Sequence, residues 1–326
     1  MNTDEKYMLR ALQLAEIGRG NVSPNPMVGC VIVHDDKIIG EGWHRKYGDW
    51  HAEVNAVNSV KDKSLLSTAT VYVTLEPCSH FGKTPPCADL LVKHQVKKVV
   101  ICNFDPFPLV AGKGIEKLQD AGIEVITGVL EAKGRELNAR FFTLIEKKRP
   151  YIILKWAETA DGFIAGENFE QLKISNALSH KLSHKWRSEE DAMMVGTNTA
   201  LYDNPRLNVR EWIGRNPIRI VVDRNERLPK DLHLFDGSQE TIILSNPTQL
   251  DELRNNKIQS LIVEGGTKLL QSFIDIQLFD EIRVFKSQNQ LKKGISAPIL
   301  PKNIDLIQKQ NLQGDELTIY KNLVSL

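Results

Sequence analysis

The 326-residue chain predicts an α/β protein made of two units, and three observations point there. Strand and helix patterns alternate along it, the arrangement that layers helices on a sheet. At about 100–200 residues per domain, the chain is long for one core. A charged run, Glu146-Lys147-Lys148-Arg149-Pro150, then separates two such alternations. It reads as a solvated helix end and a natural linker, giving units 1–148 and 149–326.

The elements follow in order. Residues 4–19 carry Tyr7, Met8, Ala11, Leu12 and Ala15 at helical spacing, with Asn2 or Thr3 as N-cap. Gly29–His34 and Lys37–Trp43 flank Asp35-Asp36 as a hairpin. His51 opens a helical run over residues 52–60. Thr70–Leu75 alternates β-branched and aromatic residues, reads as a strand, and runs into Glu76-Pro77-Cys78. Cys87 follows Pro85-Pro86 and starts an apolar-periodic run, which places it in the first turn of a helix, where the dipole lowers a thiol's pKa. Gly112-Lys113-Gly114 lacks the third glycine of a dinucleotide fingerprint and reads as a loop before a helix at 115–121. Residues 123–126 read as strand and 131–149 as one charged helix. From Tyr151-Ile152-Ile153-Leu154 a fresh series of buried strands begins.

Chemistry concentrates in the first unit. His51-Ala52-Glu53, Pro77-Cys78 and Cys87 supply one imidazole, two thiolates and a carboxylate that need not bind metal. Two thiolates and a neutral imidazole hold Zn²⁺ and leave its fourth position for water, whose pKa the metal pulls to about 7. Glu53 is then placed to take the water's proton and pass it to a departing amine, the parts of a hydrolytic deaminase. Residues two apart on a helix diverge, so His51 and Glu53 share a site only if it caps the helix end. Cys30 and Cys102 lie inside apolar strand patterns and read as core.

Composition narrows the classes. A hydrophobic content of 41% and a charged content of 25% are ordinary for a globular protein. The net charge of +1 supplies no global field for nucleic acid. Four cysteines, two of them wanted by a metal, fit a reducing compartment. The acidic start Met1-Asn2-Thr3-Asp4-Glu5 is no targeting signal, and no apolar run approaches the roughly 18 residues of a membrane span. A cytoplasmic protein with no membrane or nucleic-acid partner is expected.

The segments Pro24-Asn25-Pro26-Met27-Val28-Gly29-Cys30, Gly40-Glu41-Gly42-Trp43-His44, His51-Ala52-Glu53 and the stretch from Thr74 to Cys87 resemble the deaminase half of the bifunctional riboflavin-biosynthesis deaminase/reductase family. Other nucleoside and tRNA deaminases carry Pro-Cys-x-x-Cys, whereas this family spreads its two thiolates over a longer loop, as here. In the second half no single signal is strong, and Val263-Glu264-Gly265-Gly266 before the helical run from Thr267 reads either as a seat for a pyrophosphate or, more simply, as a plain turn. Yet Lys155, Asp161-Gly162, Arg187, Val195-Gly196-Thr197-Asn198-Thr199, the run from Asp203 to Arg210, Pro217 to Asp223 and Glu264-Gly265-Gly266 resemble, in this order, the family's reductase half.

The resemblance implies a cytidine-deaminase-like α/β/α sandwich followed by a dihydrofolate-reductase-like α/β domain that uses NADPH. It implies removal of the 2-amino group of 2,5-diamino-6-(5-phosphoribosylamino)pyrimidin-4-one, then reduction of the ribosyl group to give 5-amino-6-(5-phosphoribitylamino)uracil. By position, His51, Cys78 and Cys87 match zinc ligands and Glu53 the proton shuttle. Asn25, His44, His80, Lys83 and Asp105 match substrate positions of the deaminase. Lys155, Gln171, Arg187, Leu207, Arg210 and Glu264 match substrate positions of the reductase. Ala157, Lys173, Thr199, Asp203, Arg224 and the segment from Gly266 through Thr267 and Lys268 match cofactor positions.

Departures sit at Phe107, where the family commonly has Asn, at Gln171 in place of Ser, and at Lys173-Ile174-Ser175 in place of Trp-Ile-Thr. Asn289-Gln290-Leu291-Lys292-Lys293-Gly294 poorly matches a Leu-Gly-rich loop. They motivate an alternative, a zinc deaminase of another base or nucleotide with an inactive reductase-like domain. A non-catalytic protein that keeps both folds as scaffolds is a further rival, opposed by the retention of Glu53. A homo-oligomer, dimer or tetramer, is expected.

Overall fold

In the computed structural model, which describes residues 2–79, 85–107, 110–170 and 172–325, the chain runs as two units, Met1–Lys148 and Arg149–Leu326. Helix α1 (Thr3–Glu16) starts at Asn2, whose side chain accepts the Glu5 N–H while Glu5 returns the bond, a complete capping box. Strands β1 (Gly29–His34) and β2 (Lys37–Trp43) form a hairpin whose turn residues Asp35 and Asp36 have φ of 46° and 56°, the left-handed pair that suits strand twist. Then come α2 (Ala52–Ser59), β3 (Thr70–Leu75), α3 (Cys87–Lys93), β4 (Lys98–Asn103), α4 (Lys113–Asp120), β5 (Glu124–Thr127), α5 (Glu131–Leu137) and α6 (Ala139–Lys147).

The first unit's sheet has the order β2-β1-β3-β4-β5, antiparallel at β2-β1-β3 and parallel at β3-β4-β5. Period-two alternation sorts its side chains. Cys30, Ile32, Val71, Val73, Val99 and Ile101 pack with Ala56 of α2, Leu91 of α3 and Leu118 of α4. Val31, Val33, Tyr72, Val100 and Cys102 pack with Tyr7, Met8 and Leu12 of α1. Both faces are covered, so the unit is an α/β/α sandwich.

Two local expectations need correction. The charged helix expected over 131–149 breaks at Asn138, because its buried amide serves another chain segment: Met27 N–H donates to Oδ1 and Nδ2 donates to the Met27 carbonyl, each at 2.8 Å. Helix α4 begins at Lys113, so the second glycine of Gly112-Lys113-Gly114 is helical and not loop. The Glu76 carboxylate, accepting the N–H groups of Gly112, Gly114 and Ile115, satisfies that helix start.

The second unit contains β6 (Tyr151–Glu158), β7 (Phe163–Ala165), α7 (Ala177–Glu189), β8 (Ala192–Gly196), α8 (Thr197–Asp203), β9 (Ile218–Val222) and β10 (Thr241–Leu244). It continues with α9 (Leu250–Asn255), β11 (Ser260–Glu264), α10 (Thr267–Asp275), β12 (Glu281–Lys286), β13 (Ile295–Ser296), β14 (Ile304–Leu312) and β15 (Asp315–Asn322). Its eight-stranded sheet has the order β10-β9-β8-β11-β6-β12-β15-β14. The strands from β10 to β12 pair in parallel, and β15 and β14 close the edge antiparallel. Ile152, Leu154, Trp156, Leu261 and Val263 face a core with Leu253 of α9 and Phe273 of α10. Alternation therefore turns Lys155 and Glu264, register partners on β6 and β11, to the opposite face.

Candidate active sites

Helix α2 approaches β2 so closely that a Cβ on Gly42 would lie 2.3 Å from the Ala56 nitrogen, so only glycine lets the helix start where it does. His51 is its N-cap residue, but its imidazole makes no capping bond. The ring turns instead to the thiols: Nδ1 is 3.6 Å from Cys78 Sγ and 3.4 Å from Cys87 Sγ. The helix cap thus brings His51 and Glu53 to one site, as their spacing required.

Cys78, just past β3, also caps α3. Its sulfur accepts the Cys87 N–H at 3.3 Å and its carbonyl accepts the Ala88 N–H at 3.1 Å. The donors on Cys78 hold its thiol down to about 4, the Cys87 thiol contributing most and His51 assisting against the cost of burial. The same bond pushes the fully buried Cys87 thiol up. The Cys87 shift opposes the lowering expected for a thiol in a helix's first turn, because Cys87 donates its thiol proton to Cys78 and the helix-start N–H also reaches Cys78. One ligand atom from each of His51, Cys78 and Cys87 lies within 4.8 Å of the others. Soft sulfur with one imidazole is a donor set that suits zinc.

Glu53 is 3% exposed. Burial raises its carboxyl above the usual range, and neighbouring His51 pulls back part of the shift, which suits a group that must hold a proton in turn. Next to it, the His44 and His51 rings meet edge to face at 5.6 Å. His44 Nδ1 donates to the Trp50 carbonyl at 3.1 Å, so Nε2, 3.2 Å from Asn25 Nδ2, is the acceptor. Burial lowers His44 and keeps it neutral. Asp105 follows β4, its Oδ1 accepting the Phe107 N–H at 2.8 Å, and burial raises its carboxyl to about 6. His80 and Lys83 lie outside the described residues, as does Gln171 of the second unit.

In the second unit a cavity of about 1360 Å³ opens over the carboxyl ends of β6, β8 and β11. At one side Glu264 holds Lys155 Nζ and an Arg187 nitrogen, each at 3.2 Å. Burial works to raise Glu264, but the two cations override it and hold the carboxyl at about 2. Arg210 and Leu207 share the wall. At the other side Gly196 and Gly266 start α8 and α10, the Gly266 N–H donating to Thr199 Oγ1 at 3.1 Å. Gly265 has φ 138°, and a Cβ there would crowd Thr199 Oγ1 at 3.1 Å. Two glycine-flanked helix starts thus line this side of the cavity.

Ala157, Lys173, Asp203, Thr267 and Lys268 also line this cavity; Arg224 is not among its lining residues, and Arg227 is. Sequence reasoning passed over the exposed pair Phe169 and Tyr202, whose rings stack at 4.5 Å with an interplanar angle of 4° on the cavity wall. They are far apart in sequence and no motif joins them. It also passed over Glu76, quoted in a motif but given no role.

A metal-ligand triangle with a buried carboxylate, on a sandwich followed by a parallel-sheet cofactor cavity, defines a two-domain deaminase and reductase. Residues 1–103 match the family model described as the cytidine and deoxycytidylate deaminase zinc-binding region, and residues 150–287 match the RibD C-terminal domain. Riboflavin biosynthesis protein RibD of Aquifex aeolicus is 40% identical over 319 residues, covering 90% of this chain and 89% of its own. Its counterpart in Escherichia coli K12 is 36% identical, covering 86% and 87%. The crystal structure of the diaminohydroxyphosphoribosylaminopyrimidine deaminase/5-amino-6-(5-phosphoribosylamino)uracil reductase of Thermotoga maritima superposes with a TM-score of 0.90 at 36% identity, covering 98% of this chain and 99% of that one. RibD of Acinetobacter baumannii gives 0.91 at 34% identity.

The chain belongs to the RibD family of bifunctional riboflavin-biosynthesis enzymes. Its first unit is a zinc-dependent deaminase and its second an NADPH-dependent reductase. The alternative of an unrelated deaminase carrying an inactive reductase-like domain is not favoured, since the similarity runs through both units.

Proposed function

We propose that the first unit hydrolyses the 2-amino group of 2,5-diamino-6-(5-phosphoribosylamino)pyrimidin-4-one, and that the second reduces the product's ribosyl chain to ribityl. The observation that carries the reading is Glu53, buried beside the His51, Cys78 and Cys87 ligand atoms. His51, Cys78 and Cys87 would hold zinc, which when bound would supply the Lewis acidity that makes water a nucleophile at neutral pH. Glu53 takes a proton from that water and returns it to the leaving nitrogen, so one water enters and one ammonia departs. Asn25, neutral His44 and Asp105 orient the pyrimidine, and His80 and Lys83 complete the substrate contacts, Lys83 as a phosphate partner.

Bound in the second unit, NADPH would supply the hydride for this reduction. Gly266, Thr267, Lys268 and Thr199 bind its pyrophosphate side, with Ala157, Lys173 and Asp203 along the cofactor wall. The Phe169–Tyr202 face offers a flat surface to a base. Arg187 and Arg210 bind the phosphorylated ribose, while Leu207 and Gln171 pack near it. Lys155, held by Glu264, faces the same cavity as a substrate contact. Arg227, in the cavity wall, is a better placed partner for the 2′-phosphate than Arg224.

The charge balance and the cavities suit a phosphorylated pyrimidine and not a nucleic acid, and no described helix is long and apolar enough to cross a membrane. We assign the enzyme to the cytoplasm as a homo-oligomer. Incubating purified protein with the diaminopyrimidine nucleotide, with and without NADPH, and identifying products by mass tests the proposal. Ammonia with the deaminated ribosyl nucleotide is expected alone, and the ribityl nucleotide with NADPH.

A further inference from the structure

Glu76 lies between β3 and Cys78 and is 3% exposed. Its carboxylate accepts four backbone N–H groups: Oε2 from Gly112 at 3.0 Å and Asp105 at 3.4 Å, Oε1 from Gly114 at 3.0 Å and Ile115 at 3.4 Å. Its own N–H donates to the Asn103 carbonyl at 2.9 Å. The next residue is locked as well. A Cβ on Gly114 would lie 2.0 Å from the Pro77 carbonyl oxygen, so α4 presses on the peptide that leads into Cys78.

One carboxylate thus joins three pieces that are remote in sequence: the metal-ligand loop, the loop bearing Asp105, and the start of α4. A carboxylate accepting several N–H groups forms charge-assisted bonds in fixed directions, and buried groups left without partners are costly. Beyond the β3–β4 pairing that ends at Leu75 and Asn103, the placement of Asp105 relative to Cys78 therefore runs through Glu76.

We propose that Glu76 is a positioning residue of the deaminase, setting the location of Asp105 over the substrate while the zinc ligands hold the metal independently. This rests on the reading of Asp105 as a substrate contact. The side chain acts through the Asp105 backbone N–H and through α4, not on the reacting atoms.

Glu76→Gln in the full-length chain tests it. The amide keeps one oxygen but turns an NH₂ toward two of the four donors, releasing either the Asp105 loop or the helix start. The expected result is a KM for the diaminopyrimidine nucleotide raised about tenfold or more, with a smaller change in kcat. Zinc stays at one per chain, which reports an intact first unit, and NADPH oxidation with the deaminated nucleotide stays normal, which reports an intact second unit. An unchanged KM overturns the proposal, and so does loss of zinc in step with activity, which would make Glu76 a support of the metal site itself. Asp105→Ala separates the two layers. If it leaves KM unchanged, the reading of Asp105 is wrong and the proposal falls with it; if it raises KM while Glu76→Gln does not, only the positioning role is wrong. Should Glu76→Gln fail to fold, amide hydrogen exchange on the unaltered protein decides. Slow exchange at Asp105, Gly112 and Gly114 supports the clamp, and exchange at the free-peptide rate overturns it.

Discussion

In the first unit the ligand atoms of His51, Cys78 and Cys87 lie within 4.8 Å of one another, whereas in the second the functional groups are spread round a cavity of about 1360 Å³. The first site is built from element ends that cap one another: His51 starts α2, and Cys78 satisfies the start of α3. The second is built from strand ends, two glycine-flanked helix starts and the face of α7. A metal centre demands residue types at fixed separations, so it tolerates little change. A cavity of that size needs shape, backbone N–H groups and a few charges, so fewer of its positions are fixed to one residue type.

The widest separation of the two regions comes from a crossed pair of variants. Glu53→Ala keeps the three zinc ligands but removes the proton carrier, so deamination should fall by roughly 10²-fold to 10⁴-fold. The same protein should oxidise NADPH normally when given the deaminated nucleotide. Lys155→Ala should do the reverse, stalling reduction while ammonia is still released, and it also strips Glu264 of one of its two cations. Parallel ammonia and NADPH assays check both; equal loss of both activities in either folded variant would break the comparison.

A smaller effect sharpens the cofactor side. Arg227→Ala should weaken NADPH about tenfold or more relative to NADH, because a guanidinium grips a phosphate through charge-assisted bonds. Arg224→Ala should change that preference less, since Arg224 is not among the residues of the cavity wall. Steady-state KM values for the two cofactors decide the order.

The smallest effect is one of stability. His184 is fully buried, and its ring accepts the Arg210 N–H at 3.2 Å. Burial, with the nearby Arg187 and Arg210, lowers it to about 4 from 6.5. Between those values the unfolded chain binds a proton that the native chain does not, so native stability is full above about 6.5 and declines as pH falls toward 4. The slope from this group is at most about 1.4 kcal/mol per pH unit. Thermal melts of the second unit's transition should show it, and His184→Gln should flatten it.

Much of the first unit was legible because its signals are local. Asp35-Asp36 between two alternating runs reads as a hairpin, and Asn2 was one of two adjacent N-cap candidates for α1. The break at Asn138 was not legible, since its cause is a pair of bonds to Met27, 111 residues away in sequence. Glu76 was hidden for the same reason: all four of its N–H partners come from later loops and a helix start. The Phe169–Tyr202 stack joins a loop to the last turn of α8, with no shared pattern to reveal it.

What the sequence alone determined was chemical type: two thiolates, an imidazole and a spare carboxylate, and, half a chain later, a Lys, an Arg and a Glu beside glycine-rich strand ends. Residue identity sets ligand softness, charge and proton affinity, and periodicity sets which strand face each occupies. Tertiary structure alone decided how the two sulfurs meet, because Cys78, and not Cys87, accepts both the Cys87 thiol and the N–H at the start of α3. It likewise decided that Glu264 is the shared anion of Lys155 and Arg187, since β6 and β11 pairing in register, with Arg187 reaching over from α7, brings the three within 3.2 Å bonds. Charge and proton position follow distance and burial, and both are properties of the folded chain.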